Sequence, residues 1–223
     1  SAYQSWMWKR HAGFDVVAYE GSSSPQDIPH SLGKPVEMLW IKSRNNDYAY
    51  TWHCWHKGLN GGSNNSNYQI ALNTSSAESN EGSANPGPWN QKIPTSTHFS
   101  LGDYHKSNKS GKNFIAMLFA SVDGISKCGY YDGSDNDLPV NLGFSPRFVL
   151  IKKATGSDGW AVYDSTRGVG TGGSNDKFLR LNNTNAQIDV NHIDFTSTGF
   201  TLKGGGWNGV NDGGQKYIYY AHA

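Results

Sequence analysis

The sequence predicts an all-β protein made of two tandem antiparallel β-sandwich modules of jelly-roll type. Apolar and polar residues alternate with a period of two in short runs along the chain, which is typical of half-buried strands. No segment shows the i, i+3, i+4, i+7 apolar spacing of an amphipathic helix over several turns. The 27 glycines, with Asn and Ser crowded between the apolar runs, favour many tight turns between short strands.

Two modules are indicated by an internal repeat with an offset of about 110 residues. At this offset Leu32-Gly33 aligns with Leu142-Gly143, and Ile41-Lys42 aligns with Ile151-Lys152. A packing framework must be rebuilt in every module, whereas a catalytic constellation seldom survives as two copies in phase. The repeat therefore predicts an array of modules, and it directs the search for function to the positions where the copies differ.

Six or seven short strands are expected in each module. In the first module the apolar runs are Phe14–Tyr19, Val36–Ile41, Tyr48–Trp52, Asn67–Leu72, Phe99–Leu101 and Phe114–Phe119. In the second they are Ile125–Tyr130, Phe148–Ile151, Trp160–Tyr163, Lys177–Leu181, Phe200–Leu202 and Tyr217–Tyr220. The runs Val36–Ile41 and Phe148–Ile151 are the densest, and we expect them to be central strands.

These runs divide the chain into a first module at 13–123 and a second module at 124–223. Residues 1–12 precede them as a partial repeat, because Tyr3–Trp8 aligns with Phe114–Phe119 and with Tyr217–His222. We expect this segment to form a strand. It either closes a preceding repeat of a longer protein, which we favour, or completes a sheet in the module that follows. The short connections between the modules should hold them close together.

The composition excludes several classes of function. The formal net charge is +1 and only 17% of residues are charged, so the chain has no basic stripe of the kind that binds nucleic acid. It contains no apolar run of about 18 residues, so no membrane insertion is expected. No signal peptide is visible at the amino end, and no residue pattern requires a cofactor.

The two cysteines, Cys54 and Cys128, occupy different positions in the two modules, since Cys54 aligns with Asp164 and Cys128 with Val17. A disulfide framework keeps its pairing within a module. Both thiols are therefore expected to be free and buried.

The second module resembles the repeated β-rich domain of tail and fibre proteins of tailed bacteriophages. The resemblance rests on Leu142–Lys153, Trp160–Gly168, Asp194–Leu202 and Lys216–Ala221, in that order. The run Lys9–Gly21 resembles the start of another copy, although the first module departs more from the pattern. The resemblance implies a virion component that meets the host surface, and a homotrimer. It carries no catalytic residues.

Three polar clusters have plain structural interpretations. The run His53–His56 offers only three ligands for zinc, and in a strand they would face opposite sides. The turn Asp132–Asp137 has three carboxylates without the spacing of a calcium loop, so we expect solvated charges. In Asp164–Arg167 the acid and the serine lack a nucleophile elbow, and Asp164 is expected to cap the turn and pair with Arg167. We therefore predict no metal site and no enzyme activity.

Aromatic residues in turns are the candidate ligand-binding groups. Trp89 and Trp207 lie among Gly, Asn and Pro, and Tyr104 with His105 occupies the loop equivalent to that of Trp207. An aromatic face beside Asn208 suits stacking on a sugar ring. Three interpretations stay open: glycan contact, an interface between modules or protomers, and rings that fold back over their own core.

The expected function is a non-catalytic tail-fibre or appendage module of a virion, located on the extracellular side of the host. Its expected partners are a host-surface glycan or protein receptor and other virion proteins, with avidity supplied by repetition in an oligomer. One alternative is a purely structural spacer or decoration module, which predicts buried loop tryptophans. A second is a fragment of a polysaccharide depolymerase, which requires a cleft with two facing carboxylates.

Overall fold

The computed structural model describes residues 5–45, 51–82, 86–169, 175–205 and 209–223. The strands of the first half are β1 (Phe14–Glu20), β2 (Gln26–Pro29), β3 (Met38–Ser43), β4 (His53–His56), β5 (Tyr68–Ala71), β6 (Ser79–Asn80), β7 (His98–Leu101) and β8 (Asn113–Phe119). Those of the second half are β9 (Ser126–Asp132), β10 (Leu138–Asn141), β11 (Phe148–Lys153), β12 (Ala161–Asp164), β13 (Asp176–Arg180), β14 (Ile188–Val190), β15 (Ile193–Phe195), β16 (Gly199–Leu202) and β17 (Lys216–His222).

Helices are confined to single turns in the described part of the chain. They are α1 (His105–Asn108) and two 3-10 turns at Leu59–Gly62 and Asn65–Asn67. No helix among the described residues is long and apolar enough to cross a membrane. The predicted all-β fold class is confirmed.

The strands form two six-stranded antiparallel sheets with matching order. The first sheet runs β1-β8-β3-β4-β5-β6, and the second runs β9-β17-β11-β12-β13-β14. In each sheet the first and last long strands of that half lie side by side, and the dense apolar strands β3 and β11 are central, as predicted. A two-stranded sheet, β2-β7, accompanies the first, and a three-stranded sheet, β10-β16-β15, accompanies the second. The two halves thus share a topology, and their origin by duplication stays a prediction.

The two large sheets pack face to face and share one core. On β11, Phe148 and Leu150 belong to the cluster that includes the first half, whereas Val149 and Ile151 face the small sheet of the second half. Side chains alternate across a strand, so β11 is buried on both faces. Across the interface the rings of Phe119 and Tyr220 have centroids 4.9 Å apart. The halves are therefore joined by a shared core, and the second half has a further core between its large sheet and its small sheet.

Two polar side chains also cross this interface. The indole nitrogen of Trp160 donates to the carbonyl oxygen of Ala71 at 3.0 Å, and Nε2 of His56 donates to the carbonyl of Tyr219 at 3.2 Å. A buried donor without a partner costs roughly 1–3 kcal/mol. These bonds therefore fix the relative placement of the sheets as well as stabilising them.

The registers correct one detail of the repeat. Ile41 pairs with His53 in the first sheet, whereas Ile151 pairs with Ala161 in the second. The hairpin of the first half is thus two residues longer, and His56, rather than Cys54, occupies the position of Asp164. This insertion also explains why the strand predicted at 48–52 begins at His53. Residues 48–50 of that prediction lie outside the described residues.

The amino-terminal segment does not form the predicted strand. Residues 5–12 pair with no other strand, and residues 1–4 of the prediction lie outside the described part of the chain. Instead the segment is held by alternate side chains. The centroid of the Trp8 ring lies 5.9 Å from that of Phe119 in one sheet and 6.0 Å from that of Phe148 in the other. The centroids of the Trp6 and Phe148 rings are 5.7 Å apart. Met7 between them is 89% exposed. The indoles fill the gap between the sheets, which replaces backbone pairing as the source of stability.

Candidate functional site

The loop tryptophan Trp89 is not an exposed ring. Its side chain is 1% exposed, and its indole nitrogen donates to the carbonyl of Tyr68 at 2.8 Å. The following residues Asn90 and Gln91 both have positive φ, so the loop turns back and lays the ring over β5. In this structure Trp89 covers its own core and offers no face to a sugar. Trp207 and Asn208, also predicted to bind a ligand, lie outside the described residues.

Tyr104 is likewise buried, whereas its neighbour His105 is exposed at the start of α1. The Tyr104 hydroxyl accepts a hydrogen bond from Nε2 of Gln69 at 3.1 Å, and its ring meets the edge of His53 at 5.7 Å. Lys106 lies over the same ring at 5.6 Å. Tyr104 thus belongs to a polar network above β5. The described members of the predicted set do not form one exposed surface.

A more promising arrangement lies at one end of the paired sheets, in what we call the aromatic cleft. The cleft has a volume of about 430 Å³. Its principal lining residues are Trp6, Trp8, Arg147, Asp164, Thr166 and Tyr220. The tryptophans come from the amino-terminal segment, Arg147 precedes β11, Asp164 ends β12, and Tyr220 lies on β17. A concave site with apolar walls and a few convergent polar groups is the usual form of a ligand pocket.

Asp164 organises the polar side of the cleft. One carboxylate oxygen accepts the backbone N–H of Thr166 at 2.8 Å, which caps the turn as the sequence predicts. The other oxygen accepts the indole N–H of Trp6 at 3.0 Å and so fixes the orientation of that ring. Arg147 Nη2 lies 3.5 Å from the Thr166 hydroxyl, and both residues are exposed. The cleft therefore presents the Arg147 guanidinium and the Thr166 hydroxyl beside aromatic rings, and exposed Ser5 and Lys9 also line it.

Two further rings that line the cleft, those of Tyr220 and His222, are neutral near pH 7. Burial raises the pKa of Tyr220 far above its ordinary value, so the phenol stays protonated. Burial lowers the pKa of His222, whose ring stacks on Phe148 with centroids 5.1 Å apart. With Arg147 and Lys9 as exposed cations and Asp164 as a buried carboxylate, the cleft suits an uncharged or weakly acidic ligand better than a strongly basic one.

The predicted strand orientation of His53–His56 is confirmed. His53 hydrogen-bonds Gln69, while His56 faces the opposite way toward Tyr219. Among the residues that the structure describes, no three His, Cys, Asp or Glu side chains come together in a way that could hold a metal ion. Both cysteines are free and buried, as predicted. Burial raises the pKa of each thiol well above its ordinary value, so neither is an activated nucleophile.

The acidic turn Asp132–Asp137 is occupied by protein partners. Asp132 pairs with Lys216 at 2.7 Å, and Asp137 pairs with Lys203 at 3.2 Å. Asp135 accepts the backbone N–H of Gly213 at 2.7 Å. Each carboxylate thus has a donor within the chain, which matches a turn stabilised by charge pairing.

The sequence carries one signal for the aromatic cleft in the spacing of its first two tryptophans. The alternation Trp6-Met7-Trp8 predicts one buried and one exposed side, and the structure has that pattern. The repeat alignment of Tyr3–Trp8 predicts a strand here, but an extended segment shows the same alternation without pairing. The position of Asp164 beside the tryptophans depends on contacts more than 150 residues apart along the chain, and no local pattern reports them.

Comparison with curated proteins and with solved structures finds no match to the chain. A family model described as a domain of unknown function, DUF7483, matches residues 4–223. That span includes both halves and the segment that carries Trp6 and Trp8, so the paired sheets and the cleft lie within one family unit. The chain belongs to the DUF7483 family.

Proposed function

We propose that this chain is a non-catalytic module of a bacteriophage tail fibre or related appendage, and that it binds a host-surface glycan in the aromatic cleft. The virion assignment rests on the resemblance of the second half to repeated tail-fibre domains. The glycan assignment rests on the cleft itself. One observation carries it: the Trp6 ring is held by Asp164 at the edge of a cleft that also contains an exposed guanidinium and hydroxyl.

Sugar rings have an apolar face and a rim of hydroxyl groups, and the cleft has a complementary arrangement. The partly exposed rings of Trp6 and Trp8 supply flat apolar surface at little cost in side-chain entropy. Arg147 and Thr166 supply a donor and a hydroxyl that can act as donor or acceptor. Because both are exposed, they exchange water for ligand without opening the core. Each contact is modest, so strong attachment would require several copies acting together.

A second candidate function is that of a structural spacer. The observation in its favour is the burial of Trp89, since buried loop tryptophans are what a spacer predicts. The shared core also gives a stiff unit suited to a shaft. The spacer hypothesis differs from the glycan hypothesis in one consequence: the cleft residues Arg147 and Thr166 would then be replaceable without loss.

The test compares cleft variants with matched controls on an array of bacterial surface glycans. Arg147→Ala and Thr166→Ala remove exposed groups in the cleft, whereas Arg44→Ala and Thr198→Ala remove the same groups from exposed positions outside it. We expect the cleft variants to weaken binding at least about tenfold, the loss of one good polar contact, with an unchanged thermal midpoint. Equal binding by all four variants would favour the spacer.

A further inference from the structure

A second concave site lies between the two halves, at what we call the seam groove. It has a volume of about 350 Å³. Ser75 contributes from the first half, in the loop that follows β5. The rest of the lining comes from the loop before β12, from the end of β13 and from the turn that follows it. The residues used below are Ser75, Ser157, Asp158, Arg180 and Asn185. The first half therefore completes a groove that is formed mainly by the second half.

The lining of the seam groove is entirely polar or glycine, without a hydrocarbon or aromatic side chain. In the described part of the chain, the hydroxyls of Ser75 and Ser157 and the side-chain amide of Asn185 have no hydrogen-bond partner, and all three residues are exposed. Asp158 and Arg180 form an ion pair at the floor. Ser and Asn side chains are the adaptable hydrogen-bonding groups of binding surfaces. The groove thus offers several unused donors and acceptors around one fixed charge pair.

The frame of the groove is rigid. The Lys152 ammonium is buried and lies 3.4 Å from the carbonyl of Ser75 and 3.3 Å from that of Gly156, so it joins loops of the two halves. The backbone N–H of Asp158 also donates to the Ser75 carbonyl at 2.9 Å. A binding surface that is already ordered loses less entropy when a ligand arrives.

The charges around the groove balance. Arg180 and Lys153 face Asp158, and Lys153 also pairs with Asp212 at 2.5 Å. Further from the floor, Lys152 is opposed by Glu78, which acts on it electrostatically. With no excess of either sign, the groove favours a neutral ligand rich in hydroxyl groups over an ion.

The seam groove and the aromatic cleft lie at opposite ends of β11. Phe148, beside the cleft, starts the strand, and Lys153, beside the groove, ends it. At about 3.4 Å per residue the two ends are roughly 17 Å apart. A single sugar ring cannot reach both sites, but a polymer that passes over the edge of the sandwich can occupy them together.

We propose that the seam groove is a second saccharide site, and that the ligand of this chain is a neutral polysaccharide held at two points. The proposal rests on the proposed function, because it takes the aromatic cleft as the first point. Two linked contacts raise the apparent affinity for a polymer above that for a short fragment, since the second contact forms within the complex.

The test uses the whole chain with dextran, mannan and galactan as polymer probes and with a tetrasaccharide of each. Backbone amide signals and tryptophan indole N–H signals are followed by NMR during titration, and together they report each site separately. We expect a tetrasaccharide to shift both the Trp6 indole signal and the amide signals of Ser157 and Asn185. We also expect the polymer to bind at least about tenfold more tightly than its tetrasaccharide.

Variants of exposed residues then separate the sites. Ser157→Tyr and Asn185→Ala should abolish the shifts at the groove and remove the polymer advantage, while the Trp6 shift persists. Asn113→Ala, at an exposed position on the first sheet, is the control and should change nothing. Should the Tyr side chain disturb folding, Asn185→Ala alone keeps the test valid.

The possible failures are distinguishable. If the Trp6 signal shifts but the groove signals do not, the second site is wrong and the proposed function stands. If the groove signals shift without Trp6, the groove is supported and the cleft loses its role. If no polymer or tetrasaccharide shifts either set, the two-point proposal is overturned together with neutral-glycan binding. An unchanged polymer affinity in both groove variants also overturns the second site.

Discussion

Acid should destabilise this protein because two histidines are buried in neutral form. His56 lies between the two large sheets, where its Nε2 donates to the carbonyl of Tyr219 and its Nδ1 accepts the N–H of Gly58 at 2.9 Å. A proton on Nδ1 would break the second bond and place a charge in the shared core. Burial lowers the pKa of His56 to about 3. Burial also lowers the pKa of His53, above β5, to about 4.

The size of the effect follows from the difference between folded and unfolded states. In the unfolded chain each imidazole takes up a proton near pH 6.5, whereas in the fold His56 and His53 take one up only near pH 3 and pH 4. Between those values the unfolded state binds more protons, so stability falls as the pH falls. The contribution is complete above about pH 6.5. Going from pH 7 to pH 5 removes about 2 kcal/mol per histidine, or about 4 kcal/mol for the pair.

Urea unfolding at pH 7 and pH 5 measures this loss. His56→Gln keeps a side-chain N–H that can donate to Tyr219 but cannot take up a proton. Its stability at pH 7 should fall, while its loss between the two pH values should be about 2 kcal/mol smaller than in the parent. His105→Gln changes an exposed histidine and serves as the control. If the parent and His56→Gln lose the same free energy on acidification, the assignment of His56 as a buried neutral bridge is refuted.

Three further outcomes are expected. Asp15→Asn should lower the free energy of unfolding by about 2 kcal/mol, as measured by a urea titration. The fully buried carboxylate accepts four hydrogen bonds, whereas an amide can accept through only one oxygen. Trp8→Ala should lower the free energy of unfolding by about 3 kcal/mol, because it removes the ring between the sheets. Met7→Ala is the control and should not change it measurably. Equal thermal midpoints of the two variants would contradict this role of the segment. Cys54 and Cys128 should resist a thiol reagent in the native protein and react together when it unfolds, and rapid labelling of the native chain would show that the core is open.

The sequence predicts the fold class well because each long strand contains its own signal. The dense run Phe148–Ile151 indicates a central strand buried on both faces, and β11 is one. Short strands carry no such signal: β6 has two residues, Ser79–Asn80, and is defined only by its pairing with β5. What covers the second face of β11 is also beyond local patterns. The other half of the chain covers that face. Its placement depends on contacts between residues far apart along the chain, such as His56 with Tyr219.

The candidate site is harder to predict, because composition does not determine where a ring points. Trp89 lies among turn residues, and this placement is compatible with an exposed ring, with an interface and with a ring folded over its own core. However, two consecutive left-handed residues reverse the chain there and bury the indole. For Trp6 and Trp8 the outcome differs: their alignment with Phe114–Phe119 and Tyr217–His222 predicts a strand, and they instead border a cleft. In both cases the residue type was informative about packing, and the backbone path decided the outcome.

The register between the halves gives a reason to look for function on the second half. His56 and Asp164 occupy the same position on equivalent strands, β4 and β12, at the pairing partner of Met38 and Phe148 respectively. In the first half this position is used for packing, since His56 is sealed between the sheets. In the second half the same position holds a carboxylate that orients Trp6 beside an open cleft. The shared framework thus uses its two equivalent positions differently, for packing in the first half and for orienting Trp6 in the second. His56→Asp is therefore expected to lower the free energy of unfolding, whereas Asp164→His is expected to weaken ligand binding in the aromatic cleft.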